Sequence, residues 1–325
     1  MKAFVTGGTG FIGSHLVDTL INEQKFSEIR CLVRNNEKWL KGNDYIKVPG
    51  DLHDLNTLKD AMTDVDVIFH AAGVVKAPSW QQFQRANIDA TENILRIAQK
   101  QGVKKMVILS SLAAAGPSEN GTPVSERDPM RPVSMYGRSK KEMEEMIHQV
   151  ASEEQSITIL RPPAVYGPRE DQIYSFFKMM DKHICPIIGD GESPKISMVY
   201  VMDVILGMLQ AAKQQVPGVH TYFISGKQLH TWNEIKETST KVLGKKAIPI
   251  YIKPGVVKKI AGAVEKAASF FGTYPVINRE KANELVLEWT CSIDKAQREL
   301  NFEPKYTLAE GISRTIHWYK MHHWL

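Results

Sequence analysis

Cysteine is scarce in this 325-residue chain: there are three, Cys31, Cys185 and Cys291, far apart in sequence. That spacing suits no metal site and no disulfide framework, so it points to reduced thiols in a reducing compartment. A charge excess of either sign is also lacking. Lys and Arg number 41 against 36 Asp and Glu, a net charge of +5 spread along the chain. So mild an excess suits attraction of an anionic small ligand and gives no reason to invoke nucleic acid. No apolar run reaches the ~20 residues of a membrane span. No leader is expected before the first strand, which begins at once, and the expectation is a cytoplasmic protein. Repeats and low-complexity tracts are missing too. What remains is ordinary globular composition, 43% hydrophobic and 24% charged, long enough for a sizeable core and two lobes.

The opening stretch organises the rest. A short apolar strand, Ala3 to Val5, runs into Gly7, Gly10 and Gly13 and then into a helical pattern from His15 to Ile21. Gly7 allows the turn out of the strand, Gly10 lets backbone approach a pyrophosphate, and Gly13 lets the helix pack close to the sheet. The N–H groups at the helix start suit phosphate, so the stretch reads as a dinucleotide site. Further strands read at Glu28–Val33, Ile46–Leu52, Val65–His70, Lys104–Leu109 and Ile157–Leu160, alternating with helical patterns. Such alternation predicts an α/β fold with a doubly wound parallel sheet. The second strand ends in Val33-Arg34, with no acid there to hold an unphosphorylated ribose. An arginine at that place favours a 2′-phosphate, so NADP is expected, with NAD as the alternative. Asp51 suits the adenine amino group, although it also suits the cap of a helix beginning near Asp54. Leu52 suits the adenine ring, and the small residues Ala71, Ala72 and Gly73 let backbone lie against a cofactor. Asn87 reads as the residue opening a helix over Ile88–Gln101.

Tyr136 and Lys140 lie four residues apart at the start of another helix, on one face. A free phenol has a pKa of about 10 and is no base near neutrality. A lysine cation and an oxidised nicotinamide beside it would lower that value. Tyr136 would then exchange a hydroxyl proton while a hydride moves, with Ser111 hydrogen-bonding the substrate oxygen.

Several stretches together resemble the extended short-chain dehydrogenase/reductase family. They are Thr6-Gly-Gly-Thr-Gly-Phe-Ile-Gly13, Gly50-Asp-Leu52, His70-Ala-Ala-Gly73, Asn87-Ile-Asp-Ala-Thr-Glu-Asn93, Ser110-Ser111 and Tyr136-Gly-Arg-Ser-Lys140. Arg161-Pro-Pro-Ala-Val-Tyr-Gly-Pro168 and Tyr200-Val-Met-Asp203 continue the series in the family's order, over about two thirds of the chain. The resemblance implies a Rossmann sheet in residues 1–168 and a smaller, mostly helical substrate lobe in 169–325, with segments near 200–226 returning to the sheet. It implies Ser111, Tyr136 and Lys140 as the catalytic trio, with Asn87 supporting the proton relay. The implied cofactor contacts are Gly7, Thr9, Gly10, Phe11, Ile12, Gly13, Arg34, Asp51, Leu52, Ala71, Ala72, Gly73, Tyr136, Lys140, Pro163 and Val165. It also implies a homodimer, through the helices that follow Asn87 and Tyr136.

Within that family, nucleotide-sugar enzymes carry an arginine just before the Tyr-Val-x-Asp segment. Here the stretch is Pro194-Lys-Ile-Ser-Met-Val-Tyr200, with Lys195 its one cation. The chain is closer to the 3β-hydroxysteroid dehydrogenase-like and dihydroflavonol reductase-like branches. The expected function is therefore NADP-dependent interconversion of a carbonyl and an alcohol on a hydrophobic, non-nucleotide substrate. The alternatives are a nucleotide-sugar epimerase or dehydratase with tightly held NAD, and a non-catalytic NADP-binding sensor. No metal is expected: His70 reads as packed, and His322-His323 lacks companions. The amphipathic stretch Val256–Phe271 reads as a lid helix, with weak peripheral membrane contact as the other reading.

Overall fold

The computed structural model describes residues 1–23, 25–257, 259, 262 and 279–325. Most of the amphipathic stretch 256–271 therefore lies outside the described residues. The first half of the chain builds β1 (Lys2–Thr6), α1 (Phe11–Asn22), β2 (Glu28–Val33), β3 (Ile46–Pro49), α2 (Leu55–Ala61) and β4 (Val67–His70). A helical run follows as α3 (Trp80–Phe83), a π-helical segment Gln84–Asp89 and α4 (Ala90–Lys100). Then come β5 (Lys105–Leu109), the short α5 (Leu112–Ala115), α6 (Met135–Val150) and β6 (Ser156–Arg161). The later elements are β7 (Ala164–Tyr166), α7 (Tyr174–Asp181), β8 (Ile184–Ile188), β9 (Ile196–Tyr200), α8 (Val201–Ala211) and β10 (Gly218–Phe223). They end with β11 (Leu229–His230), α9 (Trp232–Leu243), β12 (Ile248–Ile252) and helices at Arg279–Leu285, Asp294–Leu300 and Leu308–Met321.

Seven strands form one parallel sheet in the order β10-β6-β5-β4-β1-β2-β3. The central strands are mostly apolar because helices cover both faces. Their side chains alternate between two cores. Ala3 and Val5 join the core under α1 and α8, while Phe4, Ile68 and Ile108 join the core under α2, α4 and α6. The strand order reverses between β1 and β4, where a ligand crevice is expected at the strand ends.

The C-terminal part is less helical than its sequence pattern suggests. It contains a three-stranded sheet, β11-β9-β7, and a parallel pair, β12-β8, around a third core. The chain end is tied down at the buried Asp203, whose carboxylate accepts N–H bonds from Lys305 (2.7 Å) and Tyr306 (3.2 Å). No helix among the described residues is long and apolar enough to cross a membrane.

Candidate active site

The glycine loop and α1 form one tight unit. Gly7 has φ +74°, and a Cβ there would lie 2.5 Å from the Ala72 nitrogen. A Cβ on Gly13 would lie 2.1 Å from the Gly7 carbonyl oxygen, so only glycine lets the helix start this close to the strand. The helix begins at Phe11, earlier than the sequence pattern places it, so Phe11, Ile12 and Gly13 form its first turn. No side chain caps that N-terminus, which leaves N–H groups and the positive dipole end for an anion. These are the features a dinucleotide pyrophosphate requires. Thr9 and Gly10 are half-buried beside it.

The residues expected at the adenosine end lie at neighbouring strand ends, since Val33 pairs with Pro49 and the Gly50 N–H bonds the Val33 carbonyl at 3.3 Å. Val33 is buried and Arg34 exposed. Arg34 has no ion-pair partner among the described residues. Asp51 does not cap α2; Asp54 does, accepting the Thr57 N–H at 3.1 Å. Asp51 instead accepts the His53 N–H at 3.0 Å. Leu52 packs against the core beneath α2 and α4, and its carbonyl accepts from Asn93 at 3.1 Å.

Ser111, Tyr136 and Lys140 come together at the end of β5. Ser111 caps α5, accepting the Ala113 N–H at 3.1 Å, and its side chain lies beside Tyr136. Ser134 caps α6 one turn below, accepting the Gly137 N–H at 3.2 Å. The Lys140 ammonium donates to the Leu109 carbonyl at 2.9 Å. Asn87 does not open a helix. It lies inside the π-helical segment, in a helical run that starts at Trp80 under the Ser79 cap. There its amide donates to the Val74 carbonyl (3.0 Å) and Ser139 hydroxyl (2.9 Å) and accepts the Val74 N–H (2.8 Å). Gly73 sits between Asn87 and Lys140: a Cβ on it would lie 3.0 Å from Asn87 Oδ1 and 3.3 Å from Lys140 Nζ.

Burial sets the proton affinities. Tyr136 is pushed up to about 12, mainly by desolvation, with the Ser111 hydroxyl opposing the rise and Glu284 adding to it. This is opposite to the fall expected from the sequence, because desolvation of the phenolate dominates in the protein alone. Lys140 is pushed down to about 8 by desolvation, partly offset by Glu144.

A cavity of about 600 Å³ opens in front of the trio. Phe11, Ile12, Ala71, Gly73, Pro163 and Val165 line its cofactor side. Gly7, Thr9, Gly10, Gly13, Arg34, Asp51, Leu52, Ala72 and Asn87 are not in its wall. Phe176, Met198, Trp232, Ile235, Leu285 and Trp289 line the far side. Most of those far residues carry no local sequence signal, since separate elements deliver them: α7, β9, α9 and the helix Arg279–Leu285. Glu144 could have been noticed, because it continues the Tyr136–Lys140 spacing by another four residues.

Loop, sheet and Ser-Tyr-Lys cluster define an enzyme of the extended short-chain type that uses a nicotinamide dinucleotide. The chain belongs to the NAD-dependent epimerase/dehydratase family, whose model matches residues 3–225. A ceramide reductase of Caulobacter vibrioides is 28% identical, over 99% of this chain and 95% of that one. A putative UDP-glucose 4-epimerase of Methanocaldococcus jannaschii is 31% identical, over 97% of each. Among solved structures, MoeE5 in complex with UDP-glucose and NAD superposes with a TM-score of 0.80 at 25% identity, over 99% of this chain and 100% of that one.

Proposed function

We propose that the chain is an NADP-dependent oxidoreductase interconverting a carbonyl and an alcohol on a hydrophobic, non-nucleotide substrate. The observation that carries this reading is the cavity wall, which is mostly aliphatic and aromatic and includes no arginine among the described residues. A nucleotide sugar brings a pyrophosphate into that space, where the cations of the wall are Lys76, Lys140 and Lys281, the last paired with Glu284 at 3.2 Å, and no guanidinium offers the paired donors a diphosphate takes. Lys195, the cation of the corresponding segment, is exposed and outside the wall; Ile196, Ser197 and Met198 face in instead. The ceramide reductase relative is in keeping with this reading, and the UDP-glucose complex of MoeE5 with the nucleotide-sugar alternative.

The geometry supports the following roles. A bound nicotinamide dinucleotide would supply or accept the hydride. Tyr136, held neutral, gives its proton to the carbonyl oxygen in the reducing direction and takes it back in the other. Ser111 donates a hydrogen bond to the same oxygen as negative charge develops on it. Lys140 keeps a positive charge behind the phenol, and Asn87 bridges the Gly73-Val74 backbone to Ser139 on α6. Arg34 takes the 2′-phosphate. The enzyme works in the cytoplasm as a homodimer through α4 and α6, which sedimentation at micromolar concentration tests.

The test of function is a panel of carbonyls and alcohols of graded hydrophobicity, followed at the nicotinamide absorbance band with NADPH or NADP⁺. Turnover confined to apolar members is the expected result. Cofactor retained through purification, with conversion of a UDP-sugar needing no added cofactor, would replace it with the epimerase reading.

A further inference from the structure

We propose that Glu144, which the roles above leave unused, is a positioning residue: with Arg161 and Ser110 it keeps Lys140 charged and fixes the strand end that carries Ser111. This rests on the reading of Tyr136 and Lys140 as the proton-handling pair. Tyr136, Lys140 and Glu144 recur at intervals of four on α6 and so share one face. The Glu144 side chain is 1% exposed and that of Arg161 6%. Arg161 Nε lies 3.0 and 3.1 Å from the two carboxylate oxygens, and Nη2 donates to Oε2 at 2.5 Å. The Ser110 hydroxyl donates to Oε1 of the same carboxylate.

Two things follow. The end of β5 is gripped from two directions, because Lys140 holds the Leu109 carbonyl while Glu144 holds the next residue, Ser110. Ser111 follows directly. The second consequence is electrostatic. Near Lys140 are Tyr136 and Glu144 on its own helix and His70 on β4, and Glu144 is in turn paired with Arg161 at the end of β6. Burial, with a smaller contribution from Lys140, pushes His70 down to about 3, so it is neutral near pH 7. Tyr136 is neutral as well. Glu144 is therefore the anion that supports the ammonium, and its removal leaves Arg161 as an uncompensated neighbouring cation. A purely structural pair would clamp α6 to β6 without altering Lys140.

The decisive measurement is the titration of Lys140 itself, in full-length protein carrying ¹³C at lysine Cε, with its resonance identified by its loss in Lys140→Met. The wild-type midpoint is expected near 8. Glu144→Gln should move it down by about one pH unit. Glu144→Gln/Arg161→Met removes both charges, so it should recover stability while its midpoint stays below wild type. A folded variant of either kind with the wild-type midpoint overturns the electrostatic part. Ser110→Ala keeps both charges; it should leave the midpoint unchanged and lower kcat several-fold. Unchanged kcat in that variant overturns the positioning part. The titration needs no turnover, so failure to find a carbonyl substrate bears on the proposed function and not on the electrostatic part, which the midpoints decide alone.

Discussion

The two ends of the cavity are built on different principles. At the near end Lys140 is tied to the Leu109 carbonyl of β5, Ser111 to the Ala113 N–H of α5 and Asn87 to the Val74 backbone, so these side chains are positioned by backbone. At the far end the wall is held by ring and methyl packing, as where Phe176 and Trp232 lie 5.9 Å apart. Under the proposed function the near end sets the reaction, and the far end sets what fits. Changes at the near end should lower kcat; changes at the far end should raise KM.

The largest effect expected is from Tyr136→Phe. The ring remains against Phe83, 6.4 Å away, so packing and cofactor affinity should change little. Loss of the proton donor should lower kcat by about 10²–10⁴-fold. Ser111→Ala should lose less, and Lys140→Met should weaken both turnover and cofactor binding. Turnover should also fall as pH rises past about 8, where Lys140 loses its charge. Wild-type kcat in Tyr136→Phe on a verified substrate would remove the near end from the chemistry altogether.

Trp232→Ala tests the other half of the comparison. An apolar substrate reaching that wall should lose about 2 kcal/mol of contact, a rise in KM of about thirtyfold with kcat nearly unchanged. A fall in kcat with KM unchanged would mean that the two ends are not separable. Cofactor choice lies outside both ends and should show a smaller effect. NADPH should bind about tenfold tighter than NADH, or ~1.4 kcal/mol, and Arg34→Ala should abolish the difference. Equal affinities in wild type, measured by titration, would refute the reading of Arg34.

The near end was largely legible in the sequence because its residues sit in local patterns: glycines at a strand-to-helix turn, and Tyr136 and Lys140 one turn apart. The misread positions have physical causes. Asn87 looks like a helix opener because the π-helical register is a matter of hydrogen-bond spacing, which no residue type announces. The Glu144–Arg161 pair joins residues on different elements, and only the sheet brings them together. The strand β12 pairs with β8, some sixty residues earlier, and neither alternates cleanly enough to stand out from its helical surroundings. The capping boxes at Thr231–Glu234 and Thr307–Glu310 were readable signals for two of the C-terminal helices. The far wall is illegible for a plainer reason: packing constrains volume, and many sequences fill the same volume.

The smallest effect concerns how the near end is held. Ser134 begins α6 just ahead of Met135 and Tyr136, and its side chain satisfies the Gly137 N–H. Ser134→Ala should cost about 1 kcal/mol of stability by leaving that donor to water or to no partner. The rest of α6 is fixed independently, by Lys140 at Leu109 and by Glu144 at Arg161 and Ser110. Tyr136 should therefore stay in place, and kcat should change less than about threefold even as denaturant midpoints fall. If kcat fell about a hundredfold at this modest cost in stability, the cap rather than the buried network would be what aims the phenol. The near end would then depend on a single turn of helix, and the contrast with the softly packed far wall would lose its basis.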